Sequence, residues 1–156
     1  MAGLLDPLTI KGLTIKNRIV MPPMATGLAT NQGAVTANLI KHYTRRSKEL
    51  GLLIVEHSYV GLDGKLSERQ LGIYDDSLIS GLEKLSGSVH ATGTPVVIQI
   101  NHAGRNANQE ITGMSPVAPS PTGSARELEL DEVEVLAEAY AKAAERAMKA
   151  GFDGVE

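Results

Sequence analysis

The sequence predicts an α/β protein, a parallel sheet with helices laid over it. Three observations predict this. Short apolar runs alternate with stretches of helical period in the order strand, helix, strand, helix, strand, helix, strand. The runs "LLIV" (52–55) and "VVIQI" (96–100) are apolar with almost no alternation, as strands buried on both faces are. Polar and special residues gather where those runs end: Pro23-Met24, then Glu56-His57-Ser58, then Gln99, Asn101 and His102.

Each element has a local reason. "LTIKGLTIKN" (8–17) places two matching apolar triplets around Lys11-Gly12 and predicts a small β-hairpin. The strand over 18–23 stops at Pro22 and Pro23, because neither can donate to a ladder. Thr36 is the expected N-cap of a helix running to 50, with Leu39, Ile40, Tyr43 and Leu50 near one face and Gly51 as its stop. A strand follows over 52–58. The helix over 76–93 carries Leu78, Leu82, Leu85 and Val89, and the next strand spans 95–101. The helix over 131–151 has Asp131 and Glu134 at capping-box spacing and a stripe of Leu136, Tyr140, Ala143 and Ala147. "FDGVE" (152–156) begins a fourth strand.

Composition narrows the function classes. The chain has 156 residues, enough for one domain with a core, and is 42% hydrophobic and 21% charged, as ordinary globular proteins are. A net charge of -3, with charges scattered except in "RELELDEVE" (126–134), gives no electrostatic reason to expect nucleic acid or an anionic membrane as partner. Without cysteine there is no disulfide, thiolate metal site, iron–sulfur ligand or cysteine nucleophile in these residues. No apolar run approaches the roughly 18 residues of a membrane span, and "MAGLLDPLTI" has neither the basic nor the apolar region of a secretory leader. A soluble, unprocessed, cytoplasmic protein is expected. No histidine and carboxylate set has metal-ligand spacing.

Two parallel-sheet architectures compete, a doubly wound open sheet and part of a (β/α)8 barrel. The first strand–helix junction, "MPPMATGLATNQGAVT", carries no G-x-G-x-x-G and no Gly-Lys-Ser/Thr phosphate loop, so the dinucleotide and P-loop readings lose their main support. Function at the carboxyl ends of several strands is the barrel habit.

The segments "LLDPLTIKGLTIKNRIVMPPM" (4–24), "GLLIVEHSYVGLDGK" (51–65), "LGIYDD" (71–76), "VHATGTPVVIQINHAGR" (89–105) and "AGFDGVE" (150–156) occur in succession over nearly the whole chain. Together they resemble the N-terminal half of the Old Yellow Enzyme family of NADH:flavin oxidoreductases. The resemblance implies an FMN-binding (β/α)8 TIM barrel closed at its amino end by a β-hairpin. Residues 1–156 would form one incomplete domain truncated at strand four, with 1–17 as the hairpin segment. It implies FMN as cofactor, NADH or NADPH as hydride donor, and a small α,β-unsaturated acceptor reduced at its β-carbon.

The cofactor-binding residues so implied are Pro22, Pro23, Met24, Ala25, His57 and Gln99, with Gly27 toward substrate. Gln99 is the most pointed of these. An amide in an apolar strand costs about 1–3 kcal/mol if unpaired, and the matching family glutamine hydrogen-bonds the flavin pyrimidine edge. Ala25 falls where several relatives carry cysteine or threonine, so this chain has only a methyl where they have a group that tunes the flavin potential. His57 replaces a small residue whose backbone touches the flavin. His102 and Arg105 are expected to organise the loop after the third strand, with Gly104 allowing the turn. No catalytic residue is nominated, because the family's substrate-anchoring pair and tyrosine proton donor belong just after Glu156 and its phosphate site lies further on. A complete barrel needs roughly 250 residues, so this chain alone is expected to be inactive and to self-associate or pair with a missing C-terminal half. Two other readings compete: a non-catalytic half-barrel assembly module and a barrel enzyme with phosphate-type ligands and no flavin.

Overall fold

The computed structural model describes residues 2–156. Four strands form one parallel sheet in sequence order: β3 (Val20–Met21), β4 (Leu52–Tyr59), β5 (Val96–Asn101) and β8 (Gly154–Val155). Each crossover carries a helix: α1 (Ala37–Ser47), α2 (Ile79–His90) and α4 (Leu130–Lys149). This is the order expected of right-handed βαβ units side by side. The core lies between sheet and helices, where Leu53, Val55, Val96 and Ile98 meet Leu39, Tyr43, Leu82, Leu85, Val89, Ala143 and Ala147.

Before the sheet, β1 (Leu8–Ile10) pairs antiparallel with β2 (Leu13–Ile15). Lys11 and Gly12 both take positive φ, 47° and 91°, which is the two-residue turn whose twist suits a hairpin. The hairpin region is tied to the sheet by Asn17, whose side chain donates to the Glu49 carbonyl and accepts from the Ile19 N–H. Gly51 lies against the same residue; a Cβ there would stand 2.0 Å from the Asn17 carbonyl oxygen.

Boundaries differ from the sequence reading at several places; the first helix ends at Ser47, short of Leu50 and Gly51, and the second at His90. The first strand is ordered as a ladder only over Val20–Met21, because Pro22 and Pro23 lack N–H groups and the Asn17 loop holds the residues before it. The second helix begins as a 3₁₀ turn, Asp76–Leu78, capped by Asp75 accepting from the Ser77 N–H. The long helix starts earlier than expected. Its capping box is Glu129 with Glu132 rather than Asp131 with Glu134, because Arg126 grips the Glu132 carboxylate and turns it back to the Glu129 N–H. The fourth strand spans only Gly154–Val155. Thr36 caps α1 as expected, accepting from the Leu39 N–H.

Beyond the His102–Arg105 turn, the stretch before the long helix has no periodic pattern, and the charged run that reads as a helix start begins instead with a strand at Arg126–Glu127. The stretch contains a short helix, α3 (Gln109–Thr112), and two paired two-residue strands, β6 (Val117–Ala118) and β7 (Arg126–Glu127).

Candidate functional site

The residues singled out in the sequence lie at the carboxyl ends of three consecutive parallel strands. Pro22 to Gly27 leave the end of β3, His57 lies in β4 and Gln99 in β5. Met24 is 61% exposed, and Ala25 and Pro22 are also open to solvent, so this segment presents apolar atoms outward. Gly27 has φ +64° with open space where a Cβ would stand.

The 22–27 segment is anchored through Glu56, which is 1% exposed. One carboxylate oxygen accepts from the Thr26 N–H at 3.1 Å and from the Tyr43 hydroxyl at 3.1 Å, while the Glu56 N–H donates back to Tyr43 Oη at 2.8 Å. Helix α1, strand β4 and the loop after β3 thus meet at one buried carboxylate. Burial pushes the Glu56 carboxyl above its ordinary value of 4.5, opposed by these two donors. Burial first, and then the neighbouring Glu56, push the Tyr43 phenol well above its usual range.

The β4–β5 ladder is irregular at the same level. Val55 pairs with Ile98 and Ser58 with Ile100, so Glu56 and His57 together oppose Gln99. This extra residue is a β-bulge, which frees backbone groups and re-aims side chains at a strand end. On β5, Val96 and Ile98 point into the helix-covered core. Val97, Gln99 and Asn101 therefore share the other face, where each is half-buried. Among the described residues the Gln99 amide makes one hydrogen bond, to Glu156 Oε2 at 3.5 Å, at the outer limit for such a bond and on an exposed partner.

His57 is half-buried, and burial lowers its pKa below 6.5. Its Nδ1 lies 3.0 Å from Gln70 Nε2. His102 packs against Gly64, where a Cβ would come within 2.3 Å of its ring. Its Nδ1 accepts from the Gly104 N–H, and Nε2 lies 3.2 Å from Asp63 Oδ2 without hydrogen-bond alignment. His102 and Gly104, at φ +55°, organise this loop as expected, whereas Arg105 is exposed. His42 and His90 lie in α1 and α2. Clefts lined by Leu66, Arg105, Asn108 and Pro116, and by Asp63, Arg126, Leu136 and Ala139, draw on none of the residues from 22–27, nor on His57 or Gln99.

Sequence reasoning missed Gln70 and the role of Tyr43. Gln70 sits in an aperiodic loop where nothing marks it as buried, and Tyr43 falls on the apolar stripe of α1 like any core aromatic. The donor set fits a planar ring with a polar edge. Exposed Met24 and the open approach at Gly27 offer an apolar bed, and the loosely partnered Gln99 amide offers both a donor and an acceptor.

The chain is 42% identical over 156 residues to an NADH oxidase of Thermoanaerobacter brockii, covering 94% of this chain and 24% of that protein. It is 39% identical to an NADH:acrylate oxidoreductase of Vibrio harveyi, covering all of this chain and 16% of the relative. Among solved structures it superposes on an Old Yellow Enzyme homologue from Zymomonas mobilis with a TM-score of 0.93 at 34% identity, covering 99% of this chain and 47% of that one. The chain therefore spans between about a sixth and a half of the length of these relatives, and its four parallel strands correspond to part of a TIM barrel. Residues 3–156 match the family model throughout, and the chain belongs to the NADH:flavin oxidoreductase / NADH oxidase family, an oxidoreductase family with flavin and nicotinamide cofactors.

Proposed function

We propose that the whole protein is an FMN-dependent oxidoreductase that takes hydride from NADH or NADPH and delivers it to an alkene conjugated to a carbonyl. The observation that carries this reading is the Gln99 amide, half-buried beside a bulge on the sheet face turned away from the helices, with no strong partner of its own. The acceptor class is supported by the activated alkene in the name of the Vibrio harveyi relative. Bound FMN supplies the relay that separates hydride uptake from hydride delivery.

The residues of this chain bind and orient. Pro22, Pro23, Met24 and Ala25 would hold the apolar part of the ring, and Gly27, where a Cβ would meet open space, would leave room toward substrate. Gln99 would pair with the polar edge, and the backbone freed by the bulge at His57 would add a contact there. Glu56 holds the bed in place through the Thr26 N–H and is not itself a proton donor to substrate, since it is 1% exposed and its Oε2 is held by Thr26 and Tyr43. Strands β3 and β8 each have one unpaired edge, and Leu130, Val133 and Met148 of α4 are exposed by 87%, 48% and 70%. These surfaces fit pairing with the rest of a barrel.

The test is direct. The full-length protein, purified and unfolded, is expected to release FMN in near-stoichiometric amount, and the folded protein to oxidise NADH or NADPH faster with an enone or acrylate than with buffer alone. A colourless protein with no nicotinamide-dependent acceptor reduction contradicts the proposal.

A further inference from the structure

Gln70, in the loop between β4 and α2, is 2% exposed, and its two amide ends can be told apart by their neighbours. The backbone N–H of Leu66, 2.7 Å away, can only donate, so the Gln70 atom facing it is the oxygen. The nitrogen therefore faces the other way, 3.0 Å from His57 Nδ1 and 3.3 Å from Asn101 Oδ1. An amide nitrogen only donates, which leaves His57 Nδ1 as an acceptor without a proton. The form of His57 that fits is the neutral imidazole protonated at Nε2, because an imidazolium would set one N–H against another. Burial, which disfavours the charged ring, acts in the same direction.

A backbone donor thus fixes an amide, and the amide fixes a tautomer. His57 lies in the bulge opposite Gln99, and Asn101, which shares the Gln70 nitrogen with it, belongs to the same face of β5 as Gln99. We infer that Gln70 is a positioning residue that holds His57 as a neutral Nε2–H donor on the face where flavin binds, giving the ring a second side-chain hydrogen-bond donor beside Gln99. The inference deepens the flavin reading above and rests on it for the identity of the acceptor. It also says where tuning resides: Ala25 offers only a methyl, and His57 offers a donor that favours the electron-rich, reduced ring without exchanging a proton.

The full-length protein labelled with ¹⁵N-histidine tests both parts, with His57→Gln identifying the His57 resonances by their loss. In the apoprotein at neutral pH, His57 is expected to show an unprotonated Nδ1 and a protonated Nε2. Gln70→Met should mix the tautomers. Gln70→Glu, which turns the donor into an acceptor, should move a proton onto Nδ1. With FMN bound, His57→Leu should weaken binding of reduced relative to oxidised flavin about tenfold, a midpoint potential about 30 mV more negative for a two-electron couple.

A protonated Nδ1 in the wild type, or a tautomer indifferent to Gln70→Glu, overturns the role of Gln70, and the wild-type spectrum decides this even if the Gln70 variants do not fold. An unchanged potential in flavin-loaded His57→Leu overturns the donor role. A protein that holds no FMN removes the parent reading and the donor role together, while the apoprotein tautomer still decides whether Gln70 sets it.

Discussion

Removing one hydroxyl, that of Tyr43, should destabilise the protein in a way that depends on pH. Tyr43 Oη is fully buried, accepts from the Glu56 N–H at 2.8 Å and donates to Glu56 Oε2 at 3.1 Å. Tyr43→Phe keeps the ring but strands the backbone N–H and takes from the carboxylate one of its two donors. An unsatisfied buried N–H costs about 1–3 kcal/mol, and a lost bond to a charged group about 1.5–3 kcal/mol. Partial relaxation leaves about 3 kcal/mol as the central expectation at pH 8, or roughly 6–12 °C in midpoint for a domain of 150–250 residues.

The pH dependence follows from Glu56. Its folded pKa is raised above the unfolded 4.5 by burial, so its contribution to stability is fully present below 4.5 and is lost as pH rises through the folded value. Losing the Tyr43 donor raises that value further, so the damage in Tyr43→Phe should be larger at pH 8 than at pH 4.5. Urea unfolding of the full-length protein, followed by circular dichroism at both pH values, measures this. A loss below about 1 kcal/mol at pH 8, or an equal loss at both pH values, would refute the clamp as described.

Other outcomes are expected from the same geometry. Glu56→Gln keeps an acceptor for Thr26 and Tyr43 while removing the buried charge, so the fall in stability between pH 4.5 and 8 should flatten; a slope matching wild type in urea titrations would count against Glu56 as its source. Gly51→Ala should cost more than about 2 kcal/mol, because the new Cβ would meet Asn17 backbone at 2.0 Å and not a movable side-chain end, and an unchanged melting temperature would show that the hairpin junction is looser than it looks. Ala25→Thr, at an exposed position, should leave stability within about 0.5 kcal/mol while moving the flavin potential to more positive values, a result checked by potentiometry and denaturation together.

The sheet and its helices were legible because their signals are periodic and local. Leu39, Tyr43, Leu82, Leu85 and Val89 all lie in the core at helical spacing, and Lys11-Gly12 turns the hairpin that its flanking triplets announced. What failed was decided by tertiary neighbours. The capping box moved to Glu129 and Glu132 because Arg126, from a strand the pattern did not reveal, clasps Glu132. Gln70 gave no sign of its burial, since its partners Leu66, His57 and Asn101 come from a loop and two strands that meet only in the fold. The candidate site was legible in outline, as polar residues after three strands. The bulge opposite Gln99 was not, because a single extra residue in a strand leaves no periodic trace when neighbours are apolar on both faces.

The central claim is that Gln99 serves a flavin and not the sheet. Gln99→Leu in the full-length protein, with FMN saturating, puts that claim to a spectroelectrochemical titration. The strand around it is apolar, so the fold should survive, while each lost bond costs on the order of 1 kcal/mol to a neutral ring and more to a reduced ring carrying negative charge. The account predicts weaker FMN retention and a midpoint potential more negative by about 20 mV or more, from roughly 1 kcal/mol of differential loss in a two-electron couple. Unchanged potential together with unchanged FMN affinity would contradict it and leave Gln99 with no more than its weak contact to Glu156.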